Sequence, residues 1–181
     1  MFLNPEAILS FCELKPGMKV ADLGAGSGAY SIAAAQKVSP NGKVYALEVQ
    51  KDMIVRLKND IPRPLQATIE CVWANIEKAG GTKLARESID YAIVSNVFFQ
   101  VEHKEGFLQE LVRIVKRGGH MLFIDWSESF GGMGPDVSSV VPKQSALDML
   151  AKHGFTLEKE IAAGDHHYGL ILVRGAAASA H

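Results

Sequence analysis

Apolar positions along the chain follow two alternating rhythms. Continuous apolar runs predict buried strands at "KVADL" (19–23), "KVYALEV" (43–49), "ATIECVW" (67–73), "IDYAIVS" (89–95) and "HMLFID" (120–125). Helical spacing fills the gaps. Asn4-Pro5-Glu6 reads as a helix start, with a cap, a first-turn proline and an acid at the positive end, followed by Ile8, Leu9, Phe11 and Cys12 on one side. Lys15-Pro16-Gly17 stops that helix, and Ser39-Pro40-Asn41-Gly42 is a turn. Further helices are expected up to about Val38, from Asp52 to Asn59, and over 104–116, where Phe107, Leu108, Leu111, Val112 and Val115 share a face and Gly118-Gly119 makes the cap. Strands alternating with helices predict right-handed crossovers and a parallel sheet with helices on both faces.

The rhythm changes after residue 126. "WSESFGGMGPDVSSV" (126–140) reads as a long, mobile Gly/Ser loop, with its glycine-rich part, 130–135, suited to a lid. A short helix at about 143–152 ends at Gly154. "FTLEKEIA" and "YGLILVR" follow as a pair of strands joined by a short linker, hence an antiparallel hairpin. The expected organisation is one domain over residues 1–175, with a frayed tail at 176–181.

Composition narrows the function only slightly. The 181 residues carry a formal charge of -1, so no basic field points to nucleic acid. Cys12 and Cys71 are too few for a disulfide framework and lack metal-ligand spacing. No run of about 18 apolar residues predicts a membrane span. The start, "MFLNPEAILSF", lacks a charged n-region, so no signal peptide is expected and the chain reads as cytoplasmic.

The candidate chemistry sits at "VADLGAGSGAYS" (20–31). A strand delivers a glycine loop to the start of a helix, where free N–H groups and a partial positive charge await an anion. Gly24-x-Gly26-x-x-Ala29, with Glu48 about 20 residues on, satisfies the fingerprint of a dinucleotide site and makes an NAD-dependent oxidoreductase one reading. Asp22 argues against it, because a carboxylate at the mouth of the loop repels a pyrophosphate. A zwitterion suits the loop better. The methionine part of S-adenosylmethionine offers a carboxylate to the loop amides and an ammonium to Asp22, with Glu48 left for the ribose hydroxyls through two charge-assisted bonds. The plainer reading of Asp22 is a strand-end residue bonded to nearby backbone.

Three stretches, "VADLGAGSG", "VYALEV" and "SIDYAIVSNVFFQVEHKEGFLQELVRIVKRGGHMLFIDW", resemble the ordered motifs of class I S-adenosylmethionine-dependent methyltransferases, most nearly the small UbiE-like, type 11 group. The resemblance runs from residue 4 to about 173 and includes the "GDHHYGLIL" hairpin. It implies an α/β, Rossmann-like, seven-stranded, mostly parallel sheet, order 3-2-1-4-5-7-6, strand 7 antiparallel, with helices on both faces. It implies S-adenosylmethionine as cofactor. By position, Asp22, Gly24, Ala25, Gly26 and Gly28 match the first motif, Glu48 the ribose acid and Val49 its neighbour facing the adenine. Ala74 and Asn75 follow strand three, where the family usually places an acid or amide on the adenine amino group. Ser95 and Asn96, with Val97, match the segment that lines the cofactor and the substrate entrance.

Methyl transfer needs alignment and a dry site more than it needs catalytic groups, and a base only where the acceptor must lose a proton. If strand six runs parallel and strand seven returns, their turn lies at the carboxyl edge of the sheet, beside Asn96, Phe98, Phe99, Asp125 and Trp126. That brings His166, His167 and Tyr168 near the site. His166 or His167 is the expected base if there is one, and turn or packing roles are the alternative for all three. His166-His167 shows no third zinc ligand at a usable spacing, so no metal is expected. Phe98-Phe99 reads equally as substrate wall or core. The reading reached is methyl transfer by direct displacement to a small-molecule acceptor, with an oxidoreductase or a non-catalytic S-adenosylmethionine-binding protein as the alternatives. Arsenite, an acceptor within the family, would want several active-site cysteines, which this sequence does not group.

Overall fold

A computed structural model describes residues 4–132 and 134–175. The frayed tail expected at 176–181 lies outside the described residues, as does Met133 of the expected lid. Seven strands form one sheet in the order β3-β2-β1-β4-β5-β7-β6. They are β1 (Lys19–Leu23), β2 (Lys43–Glu48), β3 (Ile69–Trp73), β4 (Ile89–Ser95), β5 (Val115–Trp126), β6 (Phe155–Ile161) and β7 (His167–Arg174). β1 pairs in parallel with β2 and β4, β2 with β3, and β4 with β5; only β7 runs antiparallel, to both β5 and β6.

Each face of the sheet buries its own core. On one side α4 (Lys104–Ile114) and α5 (Lys143–Lys152) set Phe107, Leu108, Leu111 and Leu150 against Leu23, Val94 and Phe123. On the other, α1 (Pro5–Leu9), α2 (Ala29–Val38) and α3 (Lys51–Asp60) set Leu9, Ala34, Val38 and Leu57 against Val20, Ala46 and Ile93. The alternation of side chains in each strand feeds both cores, which is why β1, β2 and β4 read as unbroken apolar runs. Phe98 is fully buried between Phe107 and Phe123 and belongs to the core.

Three boundaries differ by two residues or more from the sequence reading. Asn4 caps α1 as expected, its side chain accepting the Glu6 N–H at 2.9 Å, but the helix ends at Leu9. There the Ser10 hydroxyl bonds the Ala7 carbonyl, and Phe11 and Cys12 continue only as turns. The strand expected at 67–73 begins at Ile69. Gly118-Gly119 does not cap α4. The helix stops at Ile114 and β5 starts at once, because Val115 already pairs with Ile89. The register then jumps to Tyr91 opposite His120, so the glycines lie in an irregularity of the strand, with Gly118 at φ +73°.

A buried network on α4 holds the loop between β3 and β4. Glu110 accepts the N–H groups of Gly80 at 2.8 Å and Thr82 at 3.1 Å, and also the Thr82 hydroxyl. Arg113 pairs with Glu110 at 2.7 Å and donates to the Leu84 carbonyl at 2.8 Å. Burial raises the Glu110 pKa, but the bonds from Arg113, Thr82 and Gly80 outweigh it and bring it to about 2. This anchors the segment that leads on from Asn75.

Candidate functional site

A cavity of about 510 Å³ opens at the carboxyl edge of β1, β2 and β4, where the sheet order reverses. All eleven residues expected at the cofactor site are close to it, and Asp22, Gly24, Ala25, Gly26, Glu48, Val49, Ala74, Asn75, Ser95 and Asn96 line it directly. Gly28 sits just behind, as the left-handed cap of α2.

The three glycines are required for different reasons. All have positive φ: +81° at Gly24, +52° at Gly26 and +81° at Gly28. A Cβ on Gly24 would lie 2.6 Å from Val97 Cγ2, and one on Gly28 would collide with Leu57. At Gly26 the nearest atom is the Gly24 carbonyl oxygen, at 4.0 Å. Packing does not exclude a side chain there; the open space belongs to the cavity. The N-cap residue Gly28 has no side chain to cap α2, which leaves the N–H groups of Ala29 and Tyr30, both lining the cavity, without a side-chain cap.

Asp22 is 3% exposed beneath this loop. Its carboxylate accepts the Ser31 hydroxyl at 2.6 Å and the Ser31 backbone N–H. Burial is the larger effect and raises its pKa to about 6, with the charge of Glu48 adding to the rise. The site therefore holds a carboxylate whose charged form is disfavoured by burial and would be stabilised by an incoming cation. Glu48 is committed to backbone: Oε1 accepts Val49 N at 2.8 Å and Gln50 N at 3.0 Å, and Oε2 accepts Gly26 N at 3.1 Å. A carboxylate has about four lone-pair directions. One remains on Oε2, so a ribose bonded twice by Glu48 would have to displace the Gly26 N–H.

The opposite wall comes from β3 and β4. Val49 is 56% exposed and its carbonyl accepts the Trp73 indole N–H at 2.8 Å. Asn75 bends its own chain by accepting the Glu77 N–H at 2.9 Å. Asn96 adopts φ +54°, a left-handed turn that asparagine tolerates, and bonds the Ile124 carbonyl at 2.9 Å. Tyr30, Met53, Ile76 and Gln100 also line the cavity and were not singled out from the sequence. The Tyr30 hydroxyl bonds Ser95, a contact across two elements that no local pattern could reveal.

His166, His167 and Tyr168 lie at the same sheet edge but are not part of this lining. Trp126 pairs with His167 and Asp125 with Tyr168 in the β5–β7 ladder. Tyr168 is buried, its ring beside Phe123 and its hydroxyl donating to the Val141 carbonyl at 3.1 Å. The His167 ring lies 4.1 Å from that of Trp126, and burial lowers its pKa. His166 stacks on Phe130 at 3.7 Å and bonds Glu128 at 2.8 Å. The other histidines serve the periphery: His120 stacks on Tyr91, and His153 bonds Met149 O and Glu105.

The comparison with known proteins decides what kind of cavity this is. Residues 14–167 match the model of the family described as "Methyltransferase domain". The chain belongs to that family. It is a class I S-adenosylmethionine-dependent methyltransferase domain of the type 11 group, and S-adenosylmethionine is its cofactor. A crystal structure of an S-adenosylmethionine-dependent methyltransferase from Aquifex aeolicus superposes with a TM-score of 0.85 at 25% identity, over 96% of this chain and 90% of that one. Methyltransferase str2 of Strobilurus tenacellus is 30% identical over 174 residues, 94% of this chain and 55% of its own length. An arsenite methyltransferase of Halobacterium salinarum is 28% identical over 122 residues, 67% of this chain and 30% of its own. The methyltransferase domain thus spans 30% to 64% of the first curated relatives' lengths. The dinucleotide reading of the glycine fingerprint is not favoured. Among the described residues, no helix is long and apolar enough to cross a membrane.

Proposed function

We propose that this domain transfers a methyl group from S-adenosylmethionine to a small-molecule acceptor by direct displacement. One observation carries the reading: a buried carboxylate, Asp22, and the uncapped start of α2 line the same cavity, a pairing of charge and N–H donors that matches an amino-acid head group. Asp22 takes the ammonium, and the amides of Ser27, Ala29 and Tyr30, which line the cavity where α2 begins, take the carboxylate; those of Gly24, Ala25, Gly26 and Gly28 already donate to Leu47, Glu48 and Ala25. Glu48 holds the ribose through its remaining lone pair. Val49, Ala74 and Asn75 enclose the adenine. Ser95 and Asn96 face the reacting end.

When bound, the cofactor supplies an electrophilic methyl on a sulfonium, so this chain's residues chiefly align the partners and exclude water. A small acceptor is supported by the cavity's dimensions and by the names of relatives that act on demethylmenaquinone and arsenite. Arsenite itself fits poorly, since Cys12 lies in the turns that follow α1, Cys71 lies in β3, and neither lines the cavity. Release of S-adenosylhomocysteine across a panel of small metabolites tests the proposal. Turnover with at least one of them is expected; tight cofactor binding with no release across the panel would instead mark a non-catalytic binding protein.

A further inference from the structure

The bond between His166 and Glu128 has the form of a general base with its orienting acid. His166 Nδ1 lies 2.8 Å from Glu128 Oε1, and a carboxylate oxygen accepts, so Nδ1 carries the proton and Nε2 is the basic nitrogen. The ring is fixed as well as bonded. Phe130 stacks on it at 3.7 Å with planes 18° apart, and the Ser127 N–H holds the His166 carbonyl at 2.9 Å. A packed, tautomer-locked imidazole backed by a carboxylate is the arrangement that activates a protic nucleophile.

Its place in the fold is suited to that task. β7 lies two strands from β4, about 10 Å across the sheet. The pair therefore sits at the same carboxyl edge as Ser95 and Asn96, on the side away from the glycine loop. The edge also carries His167 Nε2, a buried polar atom with no hydrogen-bond partner among the described residues. Such an atom calls for a guest or an ordered water. The buried Trp126 ring packs against His167, and the half-exposed Phe130 beside His166 offers an apolar surface.

We propose that His166, oriented by Glu128, is the general base for an aromatic hydroxyl acceptor bound beside Phe130. This deepens the methyltransferase reading and rests on it. The acceptor O–H bond breaks and its proton passes to His166 Nε2. The oxygen electron pair becomes the new bond to the methyl carbon, and the pair of the broken sulfur–methyl bond stays on sulfur. The resulting imidazolium is stabilised by Glu128. A phenol ionises near pH 10, within reach of an imidazole, whereas an aliphatic alcohol is far less acidic.

Nitrogen-15 NMR of histidine-labelled protein reads the arrangement without any turnover. His166 is expected as the Nδ1–H tautomer, and E128A should return it to a mixture; an Nε2–H tautomer in the wild type overturns the pair. A panel of phenols, thiols, amines and carbon acids then tests the chemistry. Phenols should be methylated, and H166A should lower kcat by roughly 10²–10⁴-fold. S-adenosylhomocysteine affinity should stay within twofold, as read by calorimetry. Full turnover by H166A, methylation confined to carbon acids, or no methylation of any phenol would refute the inference. Failure to bind S-adenosylhomocysteine at all would refute the underlying methyltransferase reading instead.

Discussion

The Ser31 hydroxyl donates to Asp22 Oδ2 at 2.6 Å, and both residues are buried beneath the glycine loop. The bond joins the end of β1 to the second residue pair of α2, so strand, loop and helix are fixed around one carboxylate. Ser31→Ala removes that donor and leaves Asp22 poorly satisfied. Loss of a hydrogen bond to a charged group costs about 1–3 kcal/mol, so cofactor binding should weaken by about tenfold or more. Calorimetry with S-adenosylhomocysteine checks it, and an unchanged Kd would remove Ser31 from the site.

Asp22 also opposes stability in the free protein. Its pKa is raised from 3.8 to about 6, so the folded state holds the proton more tightly than the unfolded state. The associated stability is fully present below pH 3.8 and is lost as pH rises through about 6. At pH 7 the ionised carboxylate costs on the order of 3 kcal/mol, at 1.36 kcal/mol per unit. Asp22→Asn should therefore raise Tm without cofactor at pH 7, and by less at pH 5, while weakening cofactor binding by about 1–3 kcal/mol. Thermal unfolding and calorimetry on one variant read both effects.

The same titration governs binding. A bound ammonium keeps Asp22 ionised, so the complex binds fewer protons than the free protein near and below pH 6. Affinity for S-adenosylhomocysteine should rise as pH rises through about 6 and level off above it. Asp125 is also raised to about 6 by burial, so the control matters: Asp22→Asn should flatten the dependence, and a slope that survives belongs to another group.

Much of this site was legible because it is local. The loop from Asp22 to Gly28 and the acid at the end of β2 carry their meaning in short, ordered spacings. The parallel centre of the sheet follows from buried runs alternating with helices, and its strand order from the family resemblance. Tyr30, Met53 and Gln100 were not legible, since which helix-start side chains turn toward the cavity depends on how α2 and α3 pack. Gly118-Gly119 misled for a related reason: a glycine pair after an amphipathic helix has the form of a cap, and only the pairing of Val115 with Ile89 shows that the strand has already begun. Glu128 was hidden in a loop with no periodicity, and its partner is 38 residues away.

The glycines separate fold from function. Gly24→Ala and Gly28→Ala each force a side chain into Val97 or Leu57 at a positive φ, and each should cost about 1–3 kcal/mol of stability. Gly26→Ala meets no such contact and should cost about 1 kcal/mol, from backbone strain alone. It should nonetheless lose most cofactor affinity if the proposed cofactor site is right, because its Cβ would enter the cavity. Urea unfolding beside calorimetry distinguishes the two classes.

The Glu110 network predicts acid sensitivity away from the cavity. Its pKa is held at about 2 against an ordinary value of 4.5, so its contribution is present above pH 4.5 and is lost as pH falls through about 2. Discounted for the solvent that reaches Arg113, the contribution is on the order of 2 kcal/mol. Glu110→Gln should lower Tm at pH 7 and lose less at pH 3. An equal loss at both pH values would place the effect in packing rather than charge.

Titration calorimetry on the wild-type protein at pH 7, with S-adenosylhomocysteine, S-adenosylmethionine and NAD as separate ligands, tests the central claim most directly. The account predicts binding of both sulfur nucleosides in the micromolar range and no heat from NAD. Binding of NAD with no response to either sulfur ligand would contradict it.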